Sequence, residues 1–309
     1  MGMTLSSILA ESAQRYPDRE AVILGDTRIT YGRLWEETRR YAAVLREYGV
    51  GPGDTVALLM PNVPDFPRVY YAALSLGAMV VPVHALLVAP EIAFVLRDSG
   101  AKVLVAAAPL LVAGGKGAEA AGVPVLATMG DAPGFEDVAR LDVLAASATP
   151  IDTYVQREPN DPAVVLYTSG TTGTPKGAVL THLNMTMNAI VTATSVIDLT
   201  VEDVQMAALP LFHSFGQTVV MNATFFVGGA IVLVPRFEPG LALGLLVEEK
   251  VTVFAGVPTM YIALLAAARA DERRPALRIA ASGGSALPVA VIDKFKEVFD
   301  VDIYEGYGL

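Results

Sequence analysis

The densest chemistry in this sequence lies in one unbroken run, "YTSGTTGTPKG", residues 167–177. Thr168, Ser169, Thr171 and Thr172 bring hydroxyls as well as backbone N–H groups. Gly170, Gly173 and Gly177 let the backbone approach a partner closely, and Lys176 adds one mobile positive charge. Many donors, little bulk and one cation suit a triphosphate. Nothing in the run can build a core, and its glycines have much backbone freedom to lose, so a ligand must reward its ordering. It is not the Walker phosphate loop. Pro175 stands where that spacing needs glycine, and no Gly-Lys-Ser/Thr ending follows.

A loop of this kind needs a strand before it and a supported return after it. The apolar run "AVVLYT" supplies the strand, and "AVLTH" reads as a short second one followed by a helix. Around them the chain alternates. In the first part, residues 5–15 and 31–48 have the pattern of amphipathic helices, and "EAVILGDTRITY" reads as a hairpin turning at Gly25-Asp26. Strands "DTVALLM", "AMVVPV", "AKVLVAA" and "VPVLAT" follow, the first three separated by helical segments. The later part repeats the scheme with "DVQMAAL", "AIVLVP", "VTVFAG", "LRIAASG" and "VDIYEG", and with helices near 183–196, 215–227, 240–249, 257–270 and 288–298. Strands that are apolar throughout and separated by helices imply mainly parallel sheets covered on both faces. The expectation is an α/β protein with two related sheets flanked by helices: residues 1–155 as one subdomain and 156–309 as a second, joined by the linker "SATPIDTYVQREPNDPA".

Composition bounds the function classes. The chain has 309 residues, is 53% hydrophobic and 17% charged, and contains no cysteine. That is a globular composition without disulfides or thiolate metal sites, and it fits a reducing, cytoplasmic setting. A formal net charge of −10 argues against nucleic acid as a partner. Residues 70–90 are nearly as apolar as a membrane span, but Gly77, Pro82 and His84 interrupt them, and a buried helix followed by a buried strand is expected. "GKGAEA" at 115–120 matches a dinucleotide fingerprint weakly, because no strand closely precedes it. Three scattered histidines do not build a metal site, and no metal ligands are assigned. The chain stops just after a strand, at the edge where parallel sheets bind ligands, and such an end reads as a truncation.

"YTSGTTGTPKGAVLTHLN" resembles the signature of the adenylate-forming superfamily, the AMP-dependent synthetases and ligases that include acyl-CoA synthetases, aryl-CoA ligases and adenylation domains. "LPLFHSFG" (209–216), "FAGVPTMY" (254–261), "ASGGSALP" (281–288) and "YEGYG" (304–308) fall in the family's order, and the resemblance covers essentially the whole chain. It implies the layered αβαβα body of that family's N-terminal domain, without the mobile C-terminal domain. It also implies ligation of a fatty acid to coenzyme A through an acyl-adenylate, with ATP, Mg2+ and coenzyme A as reactants and cofactors. An aryl or short-chain acid remains open as the substrate, as does a non-catalytic nucleotide-binding module. The expected partners are these small molecules and a second copy in a possible homodimer.

Carried over by residue, the resemblance gives phosphate contacts to Thr168, Ser169, Gly170, Thr171, Thr172, Gly173 and Lys176, with Lys176 and Thr168 catalytic. Gly283, Gly284, Ser285, Glu305, Gly306, Tyr307 and Gly308 border the nucleotide, the Tyr307 ring stacking on adenine. His213, Phe215, Val257, Gly283 and Gly306 hold the acyl group, with His213 at the pocket mouth. Amino-acid-activating members place an aspartate near that position to pair with the substrate ammonium, so His213 argues against amino acids. The segment "GQTVVMNATFFVGG", with Val257, Thr259 and Met260, is apolar enough to line an acyl tunnel, though core packing explains it as well. A strand-to-helix turn, with Ser285 near the helix cap and Pro288 at its start, is the plainer account of "ASGGSALP". A buried core ring is the plainer account of Tyr307.

Overall fold

The computed structural model describes residues 4–168, 175–268 and 273–307. In chain order it gives α1 (Ser7–Arg15), the hairpin β1 (Glu20–Leu24) and β2 (Thr27–Thr30), α2 (Tyr31–Glu47), β3 (Thr55–Leu59), α3 (Asp65–Ser75), β4 (Met79–Pro82), α4 (Ala89–Asp98), β5 (Ala101–Ala107), α5 (Leu111–Ala121), β6 (Val125–Thr128) and α6 (Leu141–Ser147). There follow β7 (Pro162–Thr168), β8 (Lys176–Thr181), α7 (His182–Val191), β9 (Val204–Ala207), α8 (Ala223–Val227), β10 (Ala230–Leu233), α9 (Pro239–Glu248), β11 (Val253–Gly256), α10 (Pro258–Ala267), β12 (Ile279–Ser282), α11 (Val289–Phe299) and β13 (Ile303–Glu305). Residues Phe215–Asn222, just before α8, are wound as a π-helix.

Two sheets result. One has the order β6-β5-β3-β4-β7-β8, parallel except for the β7–β8 hairpin; the other has the order β13-β12-β11-β9-β10-β1-β2, parallel except for β1–β2. Sheet membership crosses residue 155 in both directions. The early hairpin β1–β2 extends the later sheet through β1–β10 pairing, and β7–β8 extend the earlier one through β4–β7 pairing. One core fills the space between the sheets, with Leu58 and Val80 from one and Val22 and Ile231 from the other. Tyr70, Tyr71 and Phe225 lie between them. Separate apolar clusters lie under α4 and α5 and under α9, α10 and α11. The layers are therefore helix, sheet, helix, sheet, helix.

The segment 115–120 lies inside α5 rather than in a phosphate loop. Its glycines serve packing: a Cβ at Gly117 would fall 2.8 Å from Ile92 of α4, so only glycine lets the two helices meet so closely. No described helix is long and apolar enough to cross a membrane, and residues 70–90 divide into α3 and β4 as expected.

His182 opens α7 and is fully buried, its Nδ1 accepting the backbone N–H of Leu5 at 3.0 Å. A second ring proton would face that N–H directly. Burial foremost, with Arg157 nearby and Asp161 opposing it, holds the imidazole at about 4 against an ordinary 6.5. The folded ring stays neutral while the unfolded chain protonates, so this contribution is complete above about 6.5 and is lost as pH falls towards 4. Urea unfolding across that window is expected to show stability falling with pH. His182→Gln, which keeps an acceptor and cannot titrate, is expected to flatten the fall; an equal slope would remove His182 as its source.

Candidate active site

The expected phosphate loop is the connection of the β7–β8 hairpin. Thr168 ends β7, Lys176 begins β8, and the two are direct cross-strand partners, both exposed. Antiparallel pairing thus fixes the two feet of the loop about 5 Å apart, and β7 rises to it from the buried residues Ala163 and Val164. Ser169, Gly170, Thr171, Thr172 and Gly173 lie outside the described residues, as does Gly308.

The second group of candidates gathers at the C-terminal edge of the other sheet, where adjacent parallel strands β11, β12 and β13 end. Gly283 N–H donates to Gly256 O at 3.2 Å, and Gly306 N–H donates to Ser282 O at 2.8 Å, so the three strand ends continue in register past their last residues. Gly283 has no room for a side chain. A Cβ there would lie 2.9 Å from the Phe215 ring and 3.3 Å from Gly306 O, while one at Gly284 would lie 3.5 Å from Val257. Phe215, Val257, Gly283, Gly284 and Gly306 are therefore one cluster, with backbone on the floor and an aromatic edge beside it. A side-chain-free floor at parallel strand ends is what a flat, polar ligand requires.

Ser285 is exposed and caps nothing; Pro288 takes the N-cap position and α11 begins at Val289. The turn before the helix is held instead by Glu305, whose carboxylate accepts Leu287 N–H at 2.8 Å. Tyr307 is 92% exposed in this chain and packs in none of its apolar clusters. Of the residues expected to line an acyl tunnel, Val220, Met221 and Phe225 are buried in the main core, Thr259 is exposed, and Val257 and Met260 are partly buried. Core packing accounts for the first three.

His213 is exposed on the turn after β9. Its backbone N–H donates to Pro210 O at 3.1 Å, and its Nδ1 accepts Phe215 N–H at 3.2 Å. With Nδ1 used as an acceptor, the neutral ring carries its proton on Nε2 and presents a donor there. Desolvation first, then the neighbouring His84, lowers its proton affinity below the ordinary histidine value. His84 follows β4 of the other sheet, lies tilted against Phe212 with ring centroids 4.6 Å apart, and likewise accepts a backbone N–H two residues on, from Leu86. The sequence offered His84 only as an interruption of an apolar run.

Asn62, just beyond β3, also escaped the sequence reading. Its side-chain amide donates to Ala207 O and Leu209 O, both at 2.8 Å, and accepts Leu211 N–H at 2.9 Å. These bonds join the C-terminal edge of one sheet to that of the other. The phosphate-loop hairpin and the glycine floor therefore open towards the same side of the molecule. Among the described residues no group of three or more His, Cys, Asp or Glu side chains is arranged to hold a metal ion.

Comparison with known proteins agrees with this geometry. The long-chain-fatty-acid–CoA ligase of Bacillus subtilis (strain 168) is 31% identical over 99% of this chain and 60% of its own length. A feruloyl-CoA synthase of an Amycolatopsis species is 34% identical over 99% of this chain and 59% of its own. The inhibitor-bound crystal structure of the N-terminal domain of FACL13 from Mycobacterium tuberculosis superposes with a TM-score of 0.85 at 31% identity, covering all of this chain and 76% of that one. This chain thus spans about 60% of the length of the curated relatives it matches. The model of the AMP-binding enzyme family matches residues 9–309 with the glycine floor and the hairpin loop both inside the match, and the chain belongs to that family.

Proposed function

We propose that this chain is the nucleotide- and acid-binding body of an ATP-dependent acid–CoA ligase, with a fatty acid as its substrate. The observation that carries the reading is the glycine floor at the ends of β11, β12 and β13, bordered by Phe215 and Val257 and facing the same side as the Thr168–Lys176 hairpin. In the first half-reaction an acid carboxylate oxygen attacks the α-phosphorus of magnesium-bound ATP, and the bond to the bridging oxygen of pyrophosphate breaks. In the second, the coenzyme A thiolate attacks the acyl carbon and AMP leaves with the oxygen it gained.

The chain's own residues bind and orient. The loop on the β7–β8 hairpin surrounds the β- and γ-phosphates, Lys176 offsetting charge as pyrophosphate departs. The backbone of Gly283, Gly284 and Gly306 lies against the adenylate, and the exposed Tyr307 ring offers adenine a stacking face. Neutral His213 donates from Nε2 at the pocket mouth without burying a second charge beside a carboxylate.

An aryl acid is the second reading, and the Phe215 ring favours it, because an aromatic edge fixed against the Gly283 floor suits a flat ring. Titration of this chain with non-hydrolysable acyl-adenylates carrying acetyl, cinnamoyl and long alkyl groups separates the readings. Affinity is expected to rise with alkyl length. Preference for the cinnamoyl analogue selects the aryl reading, and no binding by the folded chain removes the site.

A further inference from the structure

We infer that Asn62 is a positioning residue for the acid pocket, a role that rests on the acid–CoA ligase reading above. The side chain is 4% exposed and uses both donors and an acceptor within one five-residue stretch, Ala207 to Leu211. Its contacts fall on alternate residues, 207, 209 and 211, as a neighbouring strand's would. Asn62 thus continues the pairing of β9 beyond its last residue, although it follows a strand of the other sheet.

What it holds is the base of the His213–Phe215 turn. Pro210, between two of its contacts, accepts His213 N–H, and Leu211 O accepts the Gln217 side-chain amide at 3.5 Å. Gly216 lies so close to Pro210 that a Cβ would fall 2.3 Å from the Pro210 carbonyl oxygen. Phe215 is set by this frame on one side and by Gly283 on the other. The position of its ring above the floor is therefore dictated by a residue about 150 positions earlier in the chain.

No common replacement reproduces the pattern. Alanine leaves Leu209 O and Leu211 N–H buried without partners and takes one of two donors from Ala207 O, which keeps the Val234 N–H. Aspartate keeps the acceptor for Leu211 N–H but sets a carboxylate oxygen against two carbonyls. Asn62 does not lie at the nucleotide floor itself, whose strand ends are held by β11–β12 and β12–β13 pairing. Its loss should therefore act on the acyl group and spare the nucleotide.

The test uses this chain, Asn62→Ala and Asn62→Asp, and measures Kd for AMP and for the tightest-binding non-hydrolysable acyl-adenylate. The expected result is acyl-adenylate affinity weakened about tenfold or more in both variants, with AMP affinity within about twofold of wild type. Amide exchange at Leu211 is expected to quicken in Asn62→Ala and stay slow in Asn62→Asp, so each variant's fold and clamp are read independently of binding. Equal weakening of AMP and acyl-adenylate, or unchanged binding of both, overturns the positioning role. If neither variant folds, Asn62 is a stability residue and the inference is likewise overturned. Failure of wild-type chain to bind any acyl-adenylate removes the ligase reading first, and the inference with it.

Discussion

In the full-length enzyme, Lys176→Ala is expected to slow acyl-adenylate formation about a hundredfold or more, the cost of removing one electrostatic donor from a developing charge. Lys176 is the exposed first residue of β8, and its backbone pairs with Thr168. Its strand pairing does not depend on the ammonium, so stability should stay within about 0.5 kcal/mol of wild type. The loss should also depend on the phosphates: ATP affinity should fall about tenfold or more, while AMP, which lacks the β- and γ-phosphates, should bind nearly as before. Pyrophosphate exchange and parallel ATP and AMP titrations check both. Lys176→Arg keeps the charge on a bulkier, planar head and should retain part of the activity. An unchanged exchange rate with an unchanged ATP-to-AMP affinity ratio would falsify the assignment of Lys176 to the phosphates.

The hairpin that carries this lysine was legible because an apolar strand ran straight into residues that only a ligand could order. Most strands were legible for a similar reason, being apolar runs closed by glycine or proline. α5 was not, because its Ala- and Gly-rich run shows little contrast between faces; its glycines are there to let Ile92 and Leu59 approach. The exchange of hairpins between the sheets was hidden too. A strand's sequence records that it is buried, whereas its partner, as for Val22 against Ile231, is set by packing across more than half the chain. Gly283, Gly306 and Phe215 were proposed from motifs, and the structure brings the three together as one steric unit. Asn62 and His84 left no such trace. A single asparagine between Pro61 and Val63 resembles any turn residue, and its partners are backbone groups, which carry no side-chain signature.

Gly216→Ala is expected to be the most damaging single methyl group in the site. The added Cβ would stand 2.3 Å from Pro210 O, 2.8 Å from Pro210 C and 2.9 Å from Leu209 O. All three are backbone atoms, so no rotamer change relieves the contact. The 209–211 segment cannot simply retreat, because Asn62 holds both Leu209 O and Leu211 N–H. The start of the π-helix must therefore move, and it carries Phe215 away from the Gly283 floor. Overpacking of this kind costs about 1–3 kcal/mol, and three close backbone atoms of the held Leu209–Pro210 segment put this case at the upper end. A displacement of about 1 Å in a positioning element costs on the order of a hundredfold in productive binding. The chain should melt lower and bind acyl-adenylates about a hundredfold more weakly. Gly244→Ala is the control: it lies in α9 with only the flexible Glu248 carboxylate nearby, at 3.8 Å, and should leave binding unchanged while favouring the helix slightly. If Gly216→Ala binds acyl-adenylate like wild type, the turn is softer than its contacts imply, and the clamp at Asn62 loses its purpose along with it.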